Sequence, residues 1–264
     1  MGEEPIVLRT EALCKNFGSL EVARDIAIEL PRGARYALIG PNGAGKTSLI
    51  NLMTGQLRPD SGRILLDGKD ITGMAPAARV QNGLARTFQI NTLFASLTPL
   101  ETVTLAVCER QGVAGQFWRR LAAHGAAIEE ADDLLGQLRL GAVATRPTRT
   151  LPYGQQRLLE IALALATRPK VLLLDEPAAG VPKDESAMLF GVLAALPKEI
   201  SVLFIEHDMD IVFSFASRVI VMVAGGVLLE AEPAVVSQDP RVREVYLGTK
   251  HTTIAPPNIT GHHA

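Results

Sequence analysis

Apolar residues recur along this chain at two different spacings. Short runs at Ile6–Leu8, Val22–Leu30 and Arg35–Ile39 are strand-length and separated by turns. The third leads into a glycine-rich turn and then Lys46–Met53, which reads as a helix. Arg63–Leu66 is a further strand, closed by Asp67-Gly68, a strong signal for a tight hairpin turn. Short strands of this kind predict an antiparallel sheet beside the main core.

From about Thr98 to Ala166 the spacing lengthens. Leu134, Leu135, Leu138 and Leu140 follow the acidic run Glu129–Asp133, and Gly112, Gly115, Gly125 and Gly141 punctuate the stretch. This predicts helices inserted into an α/β core. Strand spacing returns at Val171–Asp175, then a helix over Asp184–Leu196, then a strand over Ser201–Glu206. Such a strand–helix–strand run predicts a parallel sheet with a right-handed crossover. Val219–Val223 and Val227–Leu229 flank Gly225-Gly226 and read as a hairpin. The stretch from Thr249 to Ala264 is rich in Pro, Thr and His and is expected to be a frayed tail.

Composition narrows the class. The 264 residues suit one large α/β domain or a domain with an insert. The formal net charge is −2, so no global field draws the chain to nucleic acid or anionic lipid, although Arg119 and Arg120 form a local basic patch. Cys14 and Cys108 stand far apart, which argues against a disulfide framework or a zinc site and for reduced thiols in a cytosolic protein. The acidic start lacks an apolar signal core, and Ile6 stands where a myristoylation signal needs Ser or Thr. No apolar run approaches the roughly 20 residues of a membrane span. If the chain acts on a membrane, it is expected to do so from outside the bilayer.

The glycine-rich turn, Gly40-Pro-Asn42-Gly43-Ala44-Gly45-Lys46-Thr47-Ser48, has the P-loop pattern between a strand and a helix. Glycines let backbone N–H groups curl around phosphates, and the helix N-terminus adds partial positive charge. Lys46 then reaches the terminal phosphates of ATP, and the Thr47 hydroxyl holds Mg²⁺. Asp175 and Glu176 end the apolar run Val171–Leu174, where open α/β sheets present their ligands. Asp175 is read as a second Mg²⁺ holder, mostly through water, and Glu176 as the general base. His207 follows the next strand and could touch the γ-phosphate or keep Glu176 and water in line. Leu151-Pro-Tyr153-Gly154-Gln155-Gln-Arg157 precedes the helix Arg157–Ala166, so Gly154 marks a second anion-binding helix end. Two such ends, far apart in sequence, suit two chains placed head to tail with ATP between them.

In this order the motifs resemble the ATP-binding cassette (ABC) superfamily from Ile6 to Leu247. The resemblance implies an α/β fold: a P-loop NTPase core with a mixed, mostly parallel sheet, an N-terminal antiparallel β subdomain and a helical insert. The cassette would span residues 5–248, with the insert near 98–166 and a flexible tail at 249–264. It also implies that Gln89 in Arg-Thr-Phe-Gln contacts Mg²⁺ and water and couples to a membrane partner, and that Phe17 stacks on adenine, where a base–aromatic stack is worth about 1–3 kcal/mol. Leu84-Ala-Arg-Thr-Phe-Gln89, Asp175-Glu-Pro-Ala-Ala-Gly180, Glu206-His-Asp-Met209 and Tyr246-Leu-Gly248 are similar to the subfamily that powers branched-chain amino-acid uptake. Cassettes for urea, short amides or other small organic acids share much of this pattern.

Two departures stand out. The general signature is Leu-Ser-Gly-Gly-Gln, but here Pro152 replaces the serine and Tyr153 the first glycine. The aspartate of the D-loop is absent, because Ala178-Ala-Gly-Val181 is followed by Pro182. The resemblance implies a second cassette, as a copy or a sister subunit, with two transmembrane permease subunits, an external solute-binding protein and no nucleic acid. The chain would sit on the cytoplasmic face of the cell membrane. Soluble ABC ATPases acting on nucleic acid, the rival class, carry long coiled-coil insertions with sustained heptads that this sequence lacks.

Overall fold

Alternation along the central strands builds two separate cores. The computed structural model describes residues 4–87, 93–113 and 124–247. β1 (Ile6–Phe17) and β2 (Leu20–Pro31) form a long antiparallel hairpin, and β4 (Ser61–Leu66) and β5 (Lys69–Asp70) extend it on the β1 side. The second sheet has the order β10-β9-β3-β8-β7-β6, from β3 (Arg35–Ile39), β6 (Leu84–Arg86), β7 (Val171–Asp175), β8 (Ser201–Ile205), β9 (Arg218–Val223) and β10 (Gly226–Ala231). β6, β7, β8, β3 and β9 run parallel, and only β10, at the edge, is antiparallel. The mixed, mostly parallel sheet and the separate antiparallel sheet are therefore as the sequence predicts.

Parallel strands covered on both faces read as unbroken apolar runs, and successive side chains point to opposite faces. Ala37, Ile39, Leu172, Leu174, Val202 and Phe204 enter one core, which they share with the helices. Tyr36, Leu38, Val171, Leu173, Leu203 and Ile205 enter the other. That second core also holds Leu49, Ile50, Leu52 and Met53 of α1 (Lys46–Thr54) and the inner residues of β1, β2 and β4. α1 is thus packed between the two sheets, and its start is fixed from both sides.

The hairpin is longer than its apolar runs suggest, because polar residues also join the ladder. Where the register shifts, the buried Thr10 hydroxyl donates to Ile26 O and accepts from Ile28 N–H, both at 3.0 Å. Asp67 and Gly68 take φ of 48° and 75°, the left-handed pair that a tight turn requires. The second hairpin differs from expectation. Its turn is Ala224-Gly225, with φ of 47° and 77°, and Gly226 already lies in β10. Moving the turn back by one residue keeps Val227 paired with Met222.

Short α2 (Pro76–Gln81) leads into β6, and α3 (Pro99–Arg110), α4 (Gly125–Gln137) and α5 (Tyr153–Ala166) form the helical stretch. A full capping box starts α3: Thr98 Oγ1 accepts from Glu101 N–H, and Glu101 Oε2 accepts from Thr98 N–H. The acidic run Glu129–Asp133 lies inside α4 rather than ahead of a helix, and Ala127, Ala131 and Leu135 form the buried stripe. Glu130 receives both terminal nitrogens of Arg110, at 2.8 and 2.7 Å, and so fastens α4 to α3. α6 (Lys183–Ala194) crosses from β7 to β8, α7 (Met209–Phe215) follows β8, and α8 (Pro233–Gln238) and α9 (Pro240–Leu247) close the described chain. Gly115, Arg119, Arg120 and residues 248–264 lie outside the described residues.

Candidate functional site

β3, β8 and β7 are parallel neighbours, so their C-terminal ends release Gly40, Glu206-His207 and Asp175-Glu176 along one edge of the sheet. Between β3 and α1 the chain turns through Gly40, Gly43 and Gly45 with φ of 153°, 80° and 100°. At Gly40 a side chain would run into the Met222 carbonyl of β9, and at Gly45 into the Val22 carbonyl of β2. Both glycines are therefore required by close backbone approach as well as by conformation. Ala44 N–H donates to Pro41 O at 3.2 Å, and Gly225 N–H of the β9–β10 turn donates to Ala44 O at 3.0 Å. No side chain caps α1 at Gly45, so this end presents backbone N–H groups to an anion.

Lys46 is buried, and its Nζ donates to Gly40 O at 2.7 Å and to Pro41 O at 3.0 Å. Burial lowers its pKa, against the opposing pull of the Glu176 and Asp175 carboxylates. Asn42, Gly43 and Thr47 are exposed, and Ser48 is half-buried. Tyr246 of α9 buttresses the loop from the far end of the chain: its hydroxyl hydrogen-bonds with the Gly40 backbone, and burial pushes its pKa up to about 12.

The two carboxylates at the end of β7 have different surroundings. Asp175 Oδ2 pairs with Arg86 Nη2 at 2.8 Å. The other terminal nitrogen of Arg86 donates to Asn51 Oδ1 at 2.6 Å and Gln56 Oε1 at 3.1 Å, which ties β6 and β7 to α1. The sequence reading passed over Arg86; its signal was a charged residue ending a short apolar strand just ahead of Gln89. Glu176 has a left-handed φ of 49°, and its N–H donates to Ile205 O at 3.0 Å. Glu176 Oε1 lies 2.9 Å from His207 Nε2, within hydrogen-bond reach. Beneath them Glu206 is buried, accepting from Ala178 N–H and His207 N–H. Desolvation raises the pKa of Glu206, with those two N–H groups opposing. Gln89 lies outside the described residues.

α5 starts at Tyr153, four residues before the expected Arg157, because Pro152 (φ −53°) sets the turn into the helix. Gly154 and Gln155 thus lie in the first turn of the helix. The Tyr153 hydroxyl accepts from Arg157 Nη2 at 3.1 Å, and the guanidinium sits 5.3 Å from its ring centroid. Gly154 is buried against Glu185 of α6, whose carboxylate a side chain at 154 would strike. Gln155 Oε1 is buried without a hydrogen-bond partner among the described residues. Phe17 ends β1 with 52% of its surface exposed and Lys15 Nζ 5.6 Å from its ring centroid. Among the described residues no group of three or more His, Cys, Asp or Glu is placed to hold a metal ion.

Comparison with known proteins agrees with this geometry. The family model described as ABC transporter matches residues 23–179. The chain is similar to the high-affinity branched-chain amino acid transport ATP-binding protein BraF of Pseudomonas aeruginosa, with 37% identity across 92% of this chain and 98% of the relative. It is 35% identical to LivG of Escherichia coli, a protein of the same description, across 92% of this chain and 98% of the relative. Among solved structures it is similar to the ADP conformation of MJ1267, an ATP-binding cassette of an ABC transporter. That match has a TM-score of 0.81 and 35% identity over 92% of this chain and 99% of the other.

Proposed function

Because this chain belongs to the ABC transporter family, we propose that it is the ATP-binding and hydrolysing subunit of an importer for branched-chain or other hydrophobic amino acids. The observation that carries the hydrolytic part is the Glu176–His207 contact of 2.9 Å at the strand edge that also bears the P-loop. The relatives named for branched-chain amino acid transport support the solute class.

In this reading the backbone N–H groups of residues 40–48 hold the phosphates, and Phe17 stacks on adenine. Lys46 exchanges its bonds to Gly40 O and Pro41 O for bonds to the terminal phosphates. The oxygen donors fit Mg²⁺: it takes one or two protein ligands and shares the rest with phosphate, and Thr47 and the Asp175 carboxylate are such a pair. Mg²⁺ would neutralise charge developing on the phosphates, and Gln89 would join its surroundings. Glu176 accepts the proton of the water that attacks the γ-phosphorus, while His207 holds the carboxylate in line. Cleavage of the γ-phosphorus–oxygen bond then releases ADP and phosphate.

Glu176 and His207 remain 42% and 47% exposed on the single chain. Shielding of the reaction calls for a second surface, and Tyr153, Gly154 and Gln155 of a second cassette would supply it. The cassette pair would drive two permease subunits served by an external solute-binding protein, from the inner face of the membrane. No helix among the described residues is long and apolar enough to cross a membrane.

The test is Glu176→Gln in the assembled transporter. ATP affinity should persist while hydrolysis slows by roughly 10²–10⁴, the usual scale for a general base. Unchanged turnover removes Glu176 from the role. Cells lacking the chain should lose leucine uptake; loss of urea uptake instead would move the assignment to another solute.

A further inference from the structure

Glu176 is not glycine, yet it holds a φ of 49°. Left-handed backbone at a non-glycine position persists only where its surroundings over-determine it, and such strain collects at functional sites. Two sets of bonds constrain this turn. Glu176 N–H donates to Ile205 O at 3.0 Å, and Ala179 N–H donates back to Glu176 O at 3.0 Å. Neither of these ties the turn to the loop that carries His207, and there Glu206 acts. Its Oε1 accepts from Ala178 N–H at 2.8 Å, and its Oε2 accepts from His207 N–H at 3.2 Å.

Glu206 is only 5% exposed, and a buried carboxylate is expensive to keep unless its bonds do something a neutral residue cannot. A carboxylate is the one side chain with two acceptor oxygens and no donor, so it can receive both N–H groups at once. The two it receives belong to the loops that carry Glu176 and His207. Those loops leave neighbouring strands, β7 and β8, and their side chains meet at 2.9 Å.

We propose that Glu206 is a positioning residue that clips the Glu176–Val181 turn to the His207 loop, holding Glu176 in its strained backbone and thereby holding the Glu176–His207 contact. This rests on the reading of Glu176 as the general base. In this chain the turn lacks the aspartate that cassettes ordinarily carry there, so the Glu206 clip is a restraint supplied from within the same chain. A misplacement of about 1 Å at a reacting group costs about 10²-fold in rate, and the clip prevents a displacement of that kind.

The test is Glu206→Gln in the full chain and in its transporter. Glutamine keeps one acceptor but turns an N–H donor toward the other backbone N–H. Turnover should fall by roughly 10²-fold, while nucleotide affinity, followed with a fluorescent ATP analogue, stays within about twofold. Amide exchange over residues 176–181 should accelerate, and exchange over β8 should not. In the Glu176→Gln background the second change should add almost nothing, because both act on one group. A purely structural role predicts the opposite: additive losses and a parallel fall in nucleotide affinity. Either result, or unchanged exchange over 176–181, overturns the proposal. If Glu176→Gln alone leaves turnover intact, the general-base reading fails, and the exchange measurement still decides the clip.

Discussion

The stability of this protein should fall as pH rises through neutrality, and Glu160 should contribute a substantial part of that slope. Glu160 lies on α5 with 5% of its surface exposed. Its Oε2 accepts from Arg157 Nη1 at 3.0 Å, while its Oε1 is buried with no hydrogen-bond partner among the described residues. It borders a cavity of about 120 Å³ that also touches Arg86 and Leu93. Desolvation pushes its pKa from 4.5 up to about 7, against the pull of Arg157. In the unfolded chain the group is ionised above about pH 4.5, while in the folded chain it keeps its proton until about pH 7. The native state therefore binds the extra proton between these values, so its advantage is complete below the lower one and lost above the upper. In full this difference amounts to about 3 kcal/mol, of which about 2 kcal/mol falls between roughly pH 5.5 and pH 8. The raised pKa of Glu206 acts in the same sense. The lowered carboxylates Asp60, Asp70, Glu130 and Asp239 act in the opposite sense, but only below the ordinary carboxylate range. Urea unfolding at both pH values measures the difference directly. The parent chain should lose stability on going to the higher pH, and Glu160→Gln should lose markedly less. An equal loss in the two proteins would refute the assignment.

Two further outcomes test the frame around the site. Lys46→Ala should weaken nucleotide binding by roughly 10- to 100-fold, since a charge-assisted hydrogen bond contributes about 1.5–3 kcal/mol; isothermal titration calorimetry checks this, and normal affinity would dismiss the P-loop role. Arg79→Met should lower stability by about 3–5 kcal/mol, since a buried acceptor left unsatisfied costs about 1–3 kcal/mol and Arg79, 2% exposed, donates to the carbonyls of Leu52, Met53, Thr72 and Met74. Urea unfolding reads that loss, and a change under about 1 kcal/mol would mean that water satisfies the freed carbonyls.

The parts of this molecule that sequence reveals are those set by local chemistry. The P-loop was legible because its glycine spacing is one contiguous motif between a strand and a helix, even though the carbonyls that Gly40 and Gly45 clear, of Met222 and Val22, lie elsewhere in the chain; β7 was legible residue for residue because a strand covered on both faces is continuously apolar. Glu176 and His207 were brought to one edge because each follows closely after the end of a parallel strand. What escaped depends on contacts between distant segments. Arg86 looks unremarkable until β6 and β7 are paired, and only then does it meet Asp175 at 2.8 Å. Tyr246 stood out only as part of a terminal motif, whereas its hydroxyl reaches Gly40, about two hundred residues earlier in sequence. Glu206 read as the last residue of a strand, yet it is the acceptor for two loops. α5 starts four residues ahead of the expected Arg157 because Pro152 stands at the helix entry, where a fixed φ favours starting the helix at Tyr153.

The unusual signature and the missing aspartate are linked through α6. Gly154, in the first turn of α5, has the Glu185 carboxylate of α6 lying where its side chain would be. Tyr153 meanwhile stacks with Arg157 and lies within 3.5 Å of where a side chain at Gly180 would begin. Residues 176–182 are therefore restrained at both ends: by Glu206 at Ala178, and by the packing of Tyr153 and Gly154 against Gly180 and Glu185. On the proposed pairing of two cassettes, a phosphate arriving at Gly154 would meet the like charge of Glu185 and push it away. Such a displacement would pull on α6, whose first residue follows Pro182, and so on the turn that carries Glu176. Communication between two nucleotide sites needs a physical connection rather than one particular residue, and on that proposal the Glu185 contact at one end and the clipped turn at the other would provide it without the aspartate.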